Sequence, residues 1–326
     1  MFNIKISSVG GQAVMEGVMM RDEKSYAMVV RNAQDKKLIC DKKQLTVPKE
    51  KNKIFALPII RGVYNFVQML MLGMNTLTKS SKLCGIEEVE EEPGRFEKYI
   101  SEKFGDKAEN VIIGISVTLA IGFFVLLFVM LPSLLAGFFS GVSQSSLFLN
   151  AVEGIARLII FFIYILAISK MKDINRVFMY HGAEHMTINC YENEKELTVE
   201  NVREYSRFHP RCGTNYLFLV MIVSILLFSF LGFSFNPFIR LLVRIIMLPV
   251  VAGVAYEVLR ACARNENTLT RIIRAPGLFM QKFTTKPPSD DMLEVAIAAF
   301  NVAMDKDIKE LDEIYYEDIK DSLKKN

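Results

Sequence analysis

Histidine is scarce in this chain of 326 residues, and its distribution is uneven. Only three histidines are present: His181 and His185 in HGAEH, and His209 in FHPRCG. The rest of the chain contains none, which excludes a second histidine-based site elsewhere. Histidine is the commonest metal ligand and the side chain that titrates nearest neutral pH. The short stretch that holds all three is therefore the first place to look for chemistry.

Positive charge is also missing from long parts of the chain. No Lys or Arg occurs between Val111 and Ala156, or between Cys212 and Ile239. Hydrophobic residues make up 51% of the chain. They gather in segments of about 20 residues, the length that an α-helix needs to cross a bilayer. The segments are residues 111–131, 148–169, 214–235 and 237–259. The pattern predicts a mainly α, polytopic membrane protein with about four transmembrane helices.

The same absence of Lys and Arg predicts the orientation in the cell membrane. Residues 132–150 and 233–238 would form the outer loops, and neither range contains a Lys or Arg. The basic residues lie before the first segment, between the second and third, and after the fourth. The positive-inside rule then places both termini and the histidine stretch in the cytoplasm.

Further absences narrow the class of protein. The start, MFNIKISSVGGQ, has no apolar core, so we expect no cleavable signal peptide. The net charge is only +3 and no basic tract alternates with aromatic residues, which excludes nucleic acid as the expected partner. No internal repeat is evident, and transporters usually have one, so transport ranks last among the functions. The five cysteines map to the cytoplasmic side and are expected to be reduced thiols.

The composition predicts four parts. Residues 1–53 form a small cytoplasmic domain in which YAMVVR and KLICDKKQL, on either side of NAQDK, predict a β-hairpin. Residues 54–109 hold an amphipathic helix and an acidic linker. Residues 110–260 form a four-helix membrane domain that includes a cytoplasmic histidine loop at 170–212. Residues 261–326 form a cytoplasmic helical tail.

Residues 54–77 are long and apolar enough to span a membrane, yet they carry a polar stripe. Its members share one helical face: Arg61, Asn65, Gln68 and Asn75. Spanning would also place the eleven Lys and Arg of residues 1–53 outside. We therefore predict a helix that lies in the membrane interface, with a fifth span as the alternative.

Two details of the remaining chain are predicted from local pattern. In the tail, RAPGLFMQKFTTKPPSDD predicts an irregular segment, and a helix follows whose apolar face contains Leu293 and Phe300. In the membrane domain, Glu153 and Arg157 are four residues apart and are expected to pair. Arg244 lies near the outer end of its helix and is expected to reach the interface.

The histidine stretch, KMKDINRVFMYHGAEHMTINCYENE, contains no Pro and is predicted to continue the second membrane helix. On a helix, His181 and His185 are one turn apart and can hold one Zn²⁺ at about 2.0–2.1 Å. The string H-x-x-E-H matches the inverzincin pattern, in which the glutamate, here Glu184, is the general base. His209 and Cys212 are expected to complete a tetrahedral set. The alternative is that these residues only form hydrogen bonds at helix ends.

Other polar residues are weaker candidates. Glu257 lies near the inner end of the fourth segment, where it is either a further ligand or the partner of an Arg. GGQAVMEGVMMR contains Gln12, Glu16 and Arg21 in a small, apolar run. Its paired glycines predict a tight turn against the membrane domain, and the alternative is that Glu16 faces the histidine site.

Taken together, GGQAVMEGVMMR, YHGAEHMTINCYE, FHPRCGTNYL and APGLFMQKFTTKPPSDDMLEVAIAA closely resemble the YqhQ-like family of bacterial membrane proteins. The resemblance covers nearly the whole chain. It implies a bacterial inner-membrane protein of a family whose members are described as predicted metal-dependent enzymes. The motif positions that it implies are Gln12, Glu16, Arg21, His181, Glu184, His185, His209, Arg211 and Cys212.

The sequence thus favours a membrane-bound enzyme of the hydrolase class that uses Zn or another divalent metal. Its histidines would hold the metal and Glu184 would accept a proton. The alternative is a non-enzymatic membrane factor that docks a cytoplasmic protein partner or assists assembly of a membrane complex. In that case the His/Cys loop would be a structural clasp. For either function the lipid bilayer is an expected partner.

Overall fold

The structure is a computed structural model that describes residues 9–22, 25–45, 57–85, 94–105, 108–230, 237–264, 267–304 and 314–316. Its strands are β1 (Gly10–Val14), β2 (Gly17–Arg21), β3 (Ser25–Arg31), β4 (Leu38–Gln44) and β5 (Ile314–Tyr316). Its α-helices are α1 (Ile60–Leu83), α2 (Arg95–Phe104), α3 (Ala108–Val125), α4 (Leu131–Phe138), α5 (Ser146–Ile168), α6 (Lys172–Glu192), α7 (Val199–Arg203), α8 (Gly213–Ser229), α9 (Pro237–Arg264), α10 (Thr268–Thr284) and α11 (Asp290–Ala303). A π-helical turn, Leu126–Met130, joins α3 to α4. The predicted mainly α fold is confirmed.

The chain divides into two compact units, each of which is built from separate segments. The first unit comprises Met1–Ile86, Ile165–Val223 and Leu248–Asn326. The second comprises Glu87–Tyr164 and Ser224–Met247. The first unit therefore contains the N-terminal sheet together with all three histidines.

The five strands of the first unit form one sheet in the order β1-β2-β3-β4-β5. Strands β1 to β4 pair antiparallel with their neighbours, and β5 pairs parallel with β4. The predicted hairpin is the β3–β4 pair, which closes with Arg31 opposite Leu38, and this prediction is confirmed. GGQAVMEGVMMR forms a second hairpin, β1–β2, whose tight turn holds Glu16 at a positive φ of 50°.

One face of this sheet is covered by α6 and α11. Helix α11 is the predicted helix of the tail, and its apolar face, which includes Leu293 and Phe300, is buried. Tyr180 on α6 is fully buried in the same cluster. Burying each large apolar side chain contributes roughly 1.5–3 kcal/mol, so this packing fixes α6 against the sheet.

Helix α1 places two residues of its predicted polar stripe, Arg61 and Asn65, against the protein, whereas Asn75 is exposed. Arg61 forms an ion pair with Glu257 of α9, and the Asn65 side-chain amide donates to the Tyr256 hydroxyl at 2.8 Å. The opposite face is apolar and exposed, with Met74 at 67%. The structure describes residues 57–77 of the predicted interfacial segment, and their amphipathic arrangement fits a helix in the interface. That location remains a prediction.

Three helical stretches in the described part of the chain are long and apolar enough to cross a membrane: Gly114–Gly141, Ser146–Ile168 and Leu241–Cys262. Helix α8 coincides with the third predicted segment and is also apolar, but it is shorter, with 17 residues. The later part of that segment includes residues 231–236, which lie outside the described residues. The apolar helices support membrane association, while the orientation of the termini remains a prediction.

Two predictions about helix ends are wrong. The histidine helix does not continue the second membrane helix, because Met171 adopts an extended conformation between α5 and α6. The segment predicted to be irregular forms much of α10, whose N-terminus is closed by reciprocal hydrogen bonds between Asn267 and Thr270. This capping and the burial of one helix face stabilise α10 although it contains Pro276.

The helices of the second unit contain a buried ion cluster. The carboxylate of Glu153 accepts from Arg157 at 2.8 Å, as the four-residue spacing predicts. Arg244 also binds Glu153 and is only 6% exposed, so the expectation that it reaches the interface is wrong. Glu153 provides Arg244 with a charged partner inside the unit. Arg157 also donates to the Phe128 carbonyl at 3.1 Å, within the π-helical turn.

Candidate metal centre

Helix α6 carries two of the three histidines on one face. Because they are one turn apart, the ring centroids of His181 and His185 lie 4.4 Å from each other. The glycine between them has a structural reason. A Cβ at Gly182 would lie 2.2 Å from the carbonyl oxygen of Lys286, so only glycine lets the chain after α10 approach α6 here.

Cys212 joins this pair from the residue just before α8. The Nε2 atom of His181 lies 3.1 Å from the Cys212 sulfur. His181, His185 and Cys212 each offer one ligand atom, and these atoms all lie within 4.8 Å of one another. The fold therefore brings two imidazoles and one thiol into a group that fits a single metal ion.

The second nitrogen of each histidine in this group is held by a backbone carbonyl. The Nδ1 atom of His181 lies 2.8 Å from the Thr284 carbonyl oxygen. The Nδ1 atom of His185 lies 2.7 Å from the Arg207 carbonyl oxygen. A carbonyl only accepts, so both Nδ1 atoms donate, and in the neutral form of each ring the lone pair is on Nε2. Carbonyl partners fix metal-binding histidines in proteins in this way.

Burial and the contact between His185 and Cys212 shift the pKa values of both groups. Burial lowers the pKa of His185, and the electrostatic influence of Cys212 partly offsets this effect. Burial alone would raise the pKa of the Cys212 thiol, but the electrostatic influence of His185 and the hydrogen bonds with Thr214 outweigh it and lower this pKa. The His185 Nε2 atom is buried and has no hydrogen-bond partner among the described residues. The forms that bind Zn²⁺ are the unprotonated imidazole and the thiolate.

Glu184 lies beside the group and is 4% exposed. Burial raises the pKa of its carboxyl group to about 8, an effect that the electrostatic influence of His181 partly offsets. The backbone N–H of Gly11 hydrogen-bonds this carboxyl group. Its Oε2 atom is buried without a hydrogen-bond partner among the residues that the structure describes. The predicted general base thus has one satisfied oxygen and one available oxygen.

Gly11 contacts Glu184 in the candidate centre, and sequence reasoning did not single it out. A Cβ at this position would lie 2.8 Å from the Oε1 atom of Glu184. An added methyl group at this position would therefore displace the Glu184 side chain. The paired glycines of GGQAVMEGVMMR were the available signal, but a sequence does not show which element approaches a glycine.

His209 lies beside His185, with ring centroids 5.7 Å apart, but it does not belong to the three-residue ligand group. Its Nε2 atom lies 3.5 Å from a Glu192 oxygen, and Arg211 donates to the other oxygen of Glu192. Burial lowers the pKa of His209 to about 4, so this ring is neutral. Its role as a ligand remains a prediction.

Gln281 of α10 holds the loop that carries His209 and Cys212. Its side chain is fully buried. The side-chain oxygen accepts from the His209 backbone N–H, and the side-chain nitrogen donates to the His209 carbonyl, each at 2.8 Å. No sequence pattern indicated this contact, because the two residues belong to separate elements.

The polar residues of the β1–β2 hairpin contact other groups. The side-chain amide of Gln12 lies against Gly73 of α1, where a Cβ would be 2.7 Å from the amide oxygen. The Glu16 carboxylate forms an ion pair with Arg176 and accepts from the Tyr180 hydroxyl. Glu16 thus ties the hairpin turn to the N-terminal half of α6.

The two remaining candidates also lie outside the ligand group. Arg21 ends β2, and burial lowers its pKa, although Tyr256 partly offsets the effect. Glu257 pairs with Arg61, which is the second of the two alternatives that the sequence left open.

Comparisons with known proteins agree with the resemblance noted from the motifs. Residues 57–306 match the model of a family described as "Protein of unknown function (DUF1385)". Over 294 residues, 90% of this chain and 91% of the relative, the chain is 33% identical to "Uncharacterized protein YqhQ" of Bacillus subtilis (strain 168). No solved structure matches.

Proposed function

The chain belongs to the DUF1385 family, and from the geometry of its site we propose that it is a membrane-bound, metal-dependent enzyme. One observation carries the proposal. His181 and His185 each donate Nδ1–H to a backbone carbonyl. The Nε2 atom of each ring therefore remains as a possible metal ligand beside the Cys212 sulfur. Two imidazoles fixed in this way beside a thiol form an arrangement that suits one metal ion.

The donor set favours zinc among the divalent metals. Zn²⁺ binds imidazole nitrogen and thiolate sulfur, and three protein ligands leave the fourth position open for water or substrate, as in catalytic zinc sites. Bound there, the metal would supply a Lewis acid and lower the pKa of water. A group of three ligands with one open position therefore fits a hydrolytic site better than it fits a closed, four-ligand structural site.

Glu184 is proposed as the proton-transfer group. Its pKa of about 8 lies near neutral pH. A general acid–base group is most effective when its pKa is close to the working pH, because both its protonated and its ionised forms are then accessible. Gly11 anchors the carboxyl group, and the Oε2 atom is free to take up and return a proton. Glu184 would thereby serve as the base beside the ligands, and both histidines would remain free to bind the metal.

The proposed substrate is one that is met at the cytoplasmic membrane surface. The apolar helices support membrane association, and the positive-inside rule favours a cytoplasmic location for α6. We propose a peptide, a lipid head group or a phosphorylated lipid carrier as the substrate class.

A second function is favoured by the burial of the site. His185 is 1% exposed and Cys212 is 7% exposed. A structural metal would be expected to lie in such a closed environment. In this alternative, the chain is a non-enzymatic membrane factor whose clasp shapes a docking surface for a cytoplasmic protein.

Metal content tests the shared premise of both functions. The detergent-purified protein is expected to retain about one Zn²⁺ per chain, the stoichiometry of a single four-coordinate site. The double variant His181→Ala, His185→Ala and the single variant Cys212→Ser should lose it. Cys190→Ser is the matched control, because Cys190 is a buried cysteine of α6 outside the ligand group. A wild-type protein that folds but never binds a divalent metal would rule out the enzyme and a clasp built around a metal, and would leave only a clasp held by hydrogen bonds.

Glu184→Gln separates the enzyme from the clasp. The amide cannot accept the proton, so an enzyme should keep its metal but fail to complement a strain that lacks the protein. A clasp should keep both its metal and its complementing ability. Full complementation by Glu184→Gln at native expression would overturn the proposed role of Glu184.

A further inference from the structure

Helix α10 connects the candidate metal centre to an exposed apolar surface. One side of α10 is buried, with Gly277, Met280, Gln281 and Thr284 as members. The Gln281 side chain hydrogen-bonds both the backbone N–H and the carbonyl of His209. The carbonyl of Thr284 accepts from the Nδ1–H of His181. The buried side of α10 thus holds parts of the site that come from two separate elements.

The other side of α10 is apolar and exposed. Leu269 is 64% exposed, Ile272 is 63% exposed and Phe279 is 49% exposed. At 100° per residue these three positions fall within about a quarter of the helix circumference. Large apolar side chains gathered on one exposed stripe mark a surface that binds something apolar.

The charges along the edge of this stripe all have one sign. Helix α10 contains Arg271, Arg274 and Lys282 but no Asp or Glu. Arg271 and Lys282 are exposed on the same flank of the stripe, and the Lys282 ammonium lies 5.3 Å from the centre of the Phe279 ring. An apolar stripe with a basic flank is the pattern of a helix that lies in the headgroup region of a bilayer.

The position of α10 in the chain places it at a membrane boundary. The candidate span Leu241–Cys262 ends six residues before α10 begins at Thr268. A helix that follows a span so closely starts within the headgroup region. Basic residues at this level are attracted to anionic lipids.

We propose that α10 is a membrane-surface helix that inserts Leu269, Ile272 and Phe279 among the acyl chains and binds anionic phospholipid headgroups through Arg271 and Lys282. The bilayer then supports one side of α10 while the other side holds the His181 and Cys212 segments. The candidate centre is thereby fixed at the lipid surface. This proposal does not require that the centre be catalytic.

Fluorescence quenching in vesicles tests the location of α10. Single cysteines at Ile272 and Phe279 of the full chain would be labelled with a fluorophore, and the protein reconstituted into phosphatidylcholine vesicles with and without phosphatidylglycerol. The wild-type chain controls for labelling, because all five native cysteines are buried. Leu119→Cys on α3, 68% exposed, serves as the reference within a span. Glu200→Cys on α7 serves as the exposed reference away from α10.

Lipids brominated on the acyl chains are expected to quench the labels at 272 and 279, as they do at 119, whereas only aqueous iodide should quench the label at 200. The double variant Arg271→Glu, Lys282→Glu should lose the extra quenching that phosphatidylglycerol gives and should no longer respond to salt. Labels at 272 and 279 quenched by iodide alone would overturn the proposal. Labels shielded from both quenchers would also overturn it, because a protein partner would then cover this face.

Discussion

Gly11 of β1 and Glu184 of α6 are in direct contact: a Cβ built on Gly11 would lie 2.8 Å from the carboxyl oxygen Oε1. The Gly11 backbone N–H also hydrogen-bonds this carboxyl group. The N-terminal hairpin is therefore part of the candidate centre, although neither of its acidic or basic candidates, Glu16 and Arg21, belongs to the ligand group.

Gly11→Ala is expected to destabilise the protein and displace Glu184. The added methyl group overlaps the carboxyl group, and overpacking of this kind costs roughly 1–3 kcal/mol. Thermal unfolding of the purified protein measures the effect. Gly10→Ala is the matched control, since no atom lies within 4 Å of a Cβ at Gly10. Equal melting temperatures for the two variants would show that the contact does not constrain the fold.

Gln281→Leu is expected to weaken metal binding although it changes none of the proposed ligand residues. The substitution leaves the buried His209 N–H and carbonyl without their partner, and each loss costs roughly 1–3 kcal/mol. The loop that presents Cys212 then loses its support. Competition with a zinc chelator measures the affinity, which should fall by about 10–100-fold, as for other residues that position ligands. Gln44→Leu, an exposed site at the end of β4, should leave the affinity unchanged.

The stability of the metal-free protein is expected to depend on Glu184 between about pH 5 and pH 8. Burial raises the pKa of Glu184 to about 8, so the folded protein holds this proton more tightly than the unfolded chain does. Stability from this group is fully present below the unfolded pKa of about 4.3 and is lost as pH rises through the folded pKa. Melting in the presence of a chelator should therefore decline more steeply with pH for wild type than for Glu184→Gln. Parallel curves would contradict the shifted pKa.

Both termini are expected to lie in the cytoplasm. The motivation is the absence of Lys and Arg from the two predicted outer loops. A reporter that is active only in the cytoplasm, fused after Asn326, should be active, and one that is active only outside should be silent. The reporter that is active only outside, inserted after Gln144 in the loop between α4 and α5, should be active. An active outside reporter at Asn326 would refute the predicted orientation.

Several elements followed from the sequence because their signals are local. Apolar runs of spanning length predicted the long apolar helices, and alternating β-formers around NAQDK predicted the β3–β4 hairpin. The four-residue spacing in HGAEH was enough to place His181 and His185 on one helical face. These features depend on neighbours within about one or two helical turns.

The errors have physical causes that local patterns do not contain. The extended backbone of Met171 interrupts the helix that was predicted to be continuous. No Pro or Gly lies at this position to indicate the break from the sequence. Helix α10 forms across Pro276 because its cap and its buried face together stabilise it. Arg244 is buried because Glu153, on another helix, offers a charged partner.

By itself, the sequence determined the presence of helices long and apolar enough to cross a membrane, the helical spacing of His181 and His185, and the family to which the chain belongs. Only the tertiary structure decided that Cys212 joins those histidines while the Nε2 atom of His209 lies beside Glu192. It also decided that Gly11, Gln281 and Thr284 support the site. The reason is that hydrophobic burial brings distant segments together, and hydrogen bonds between those segments then choose which donor atoms face one another.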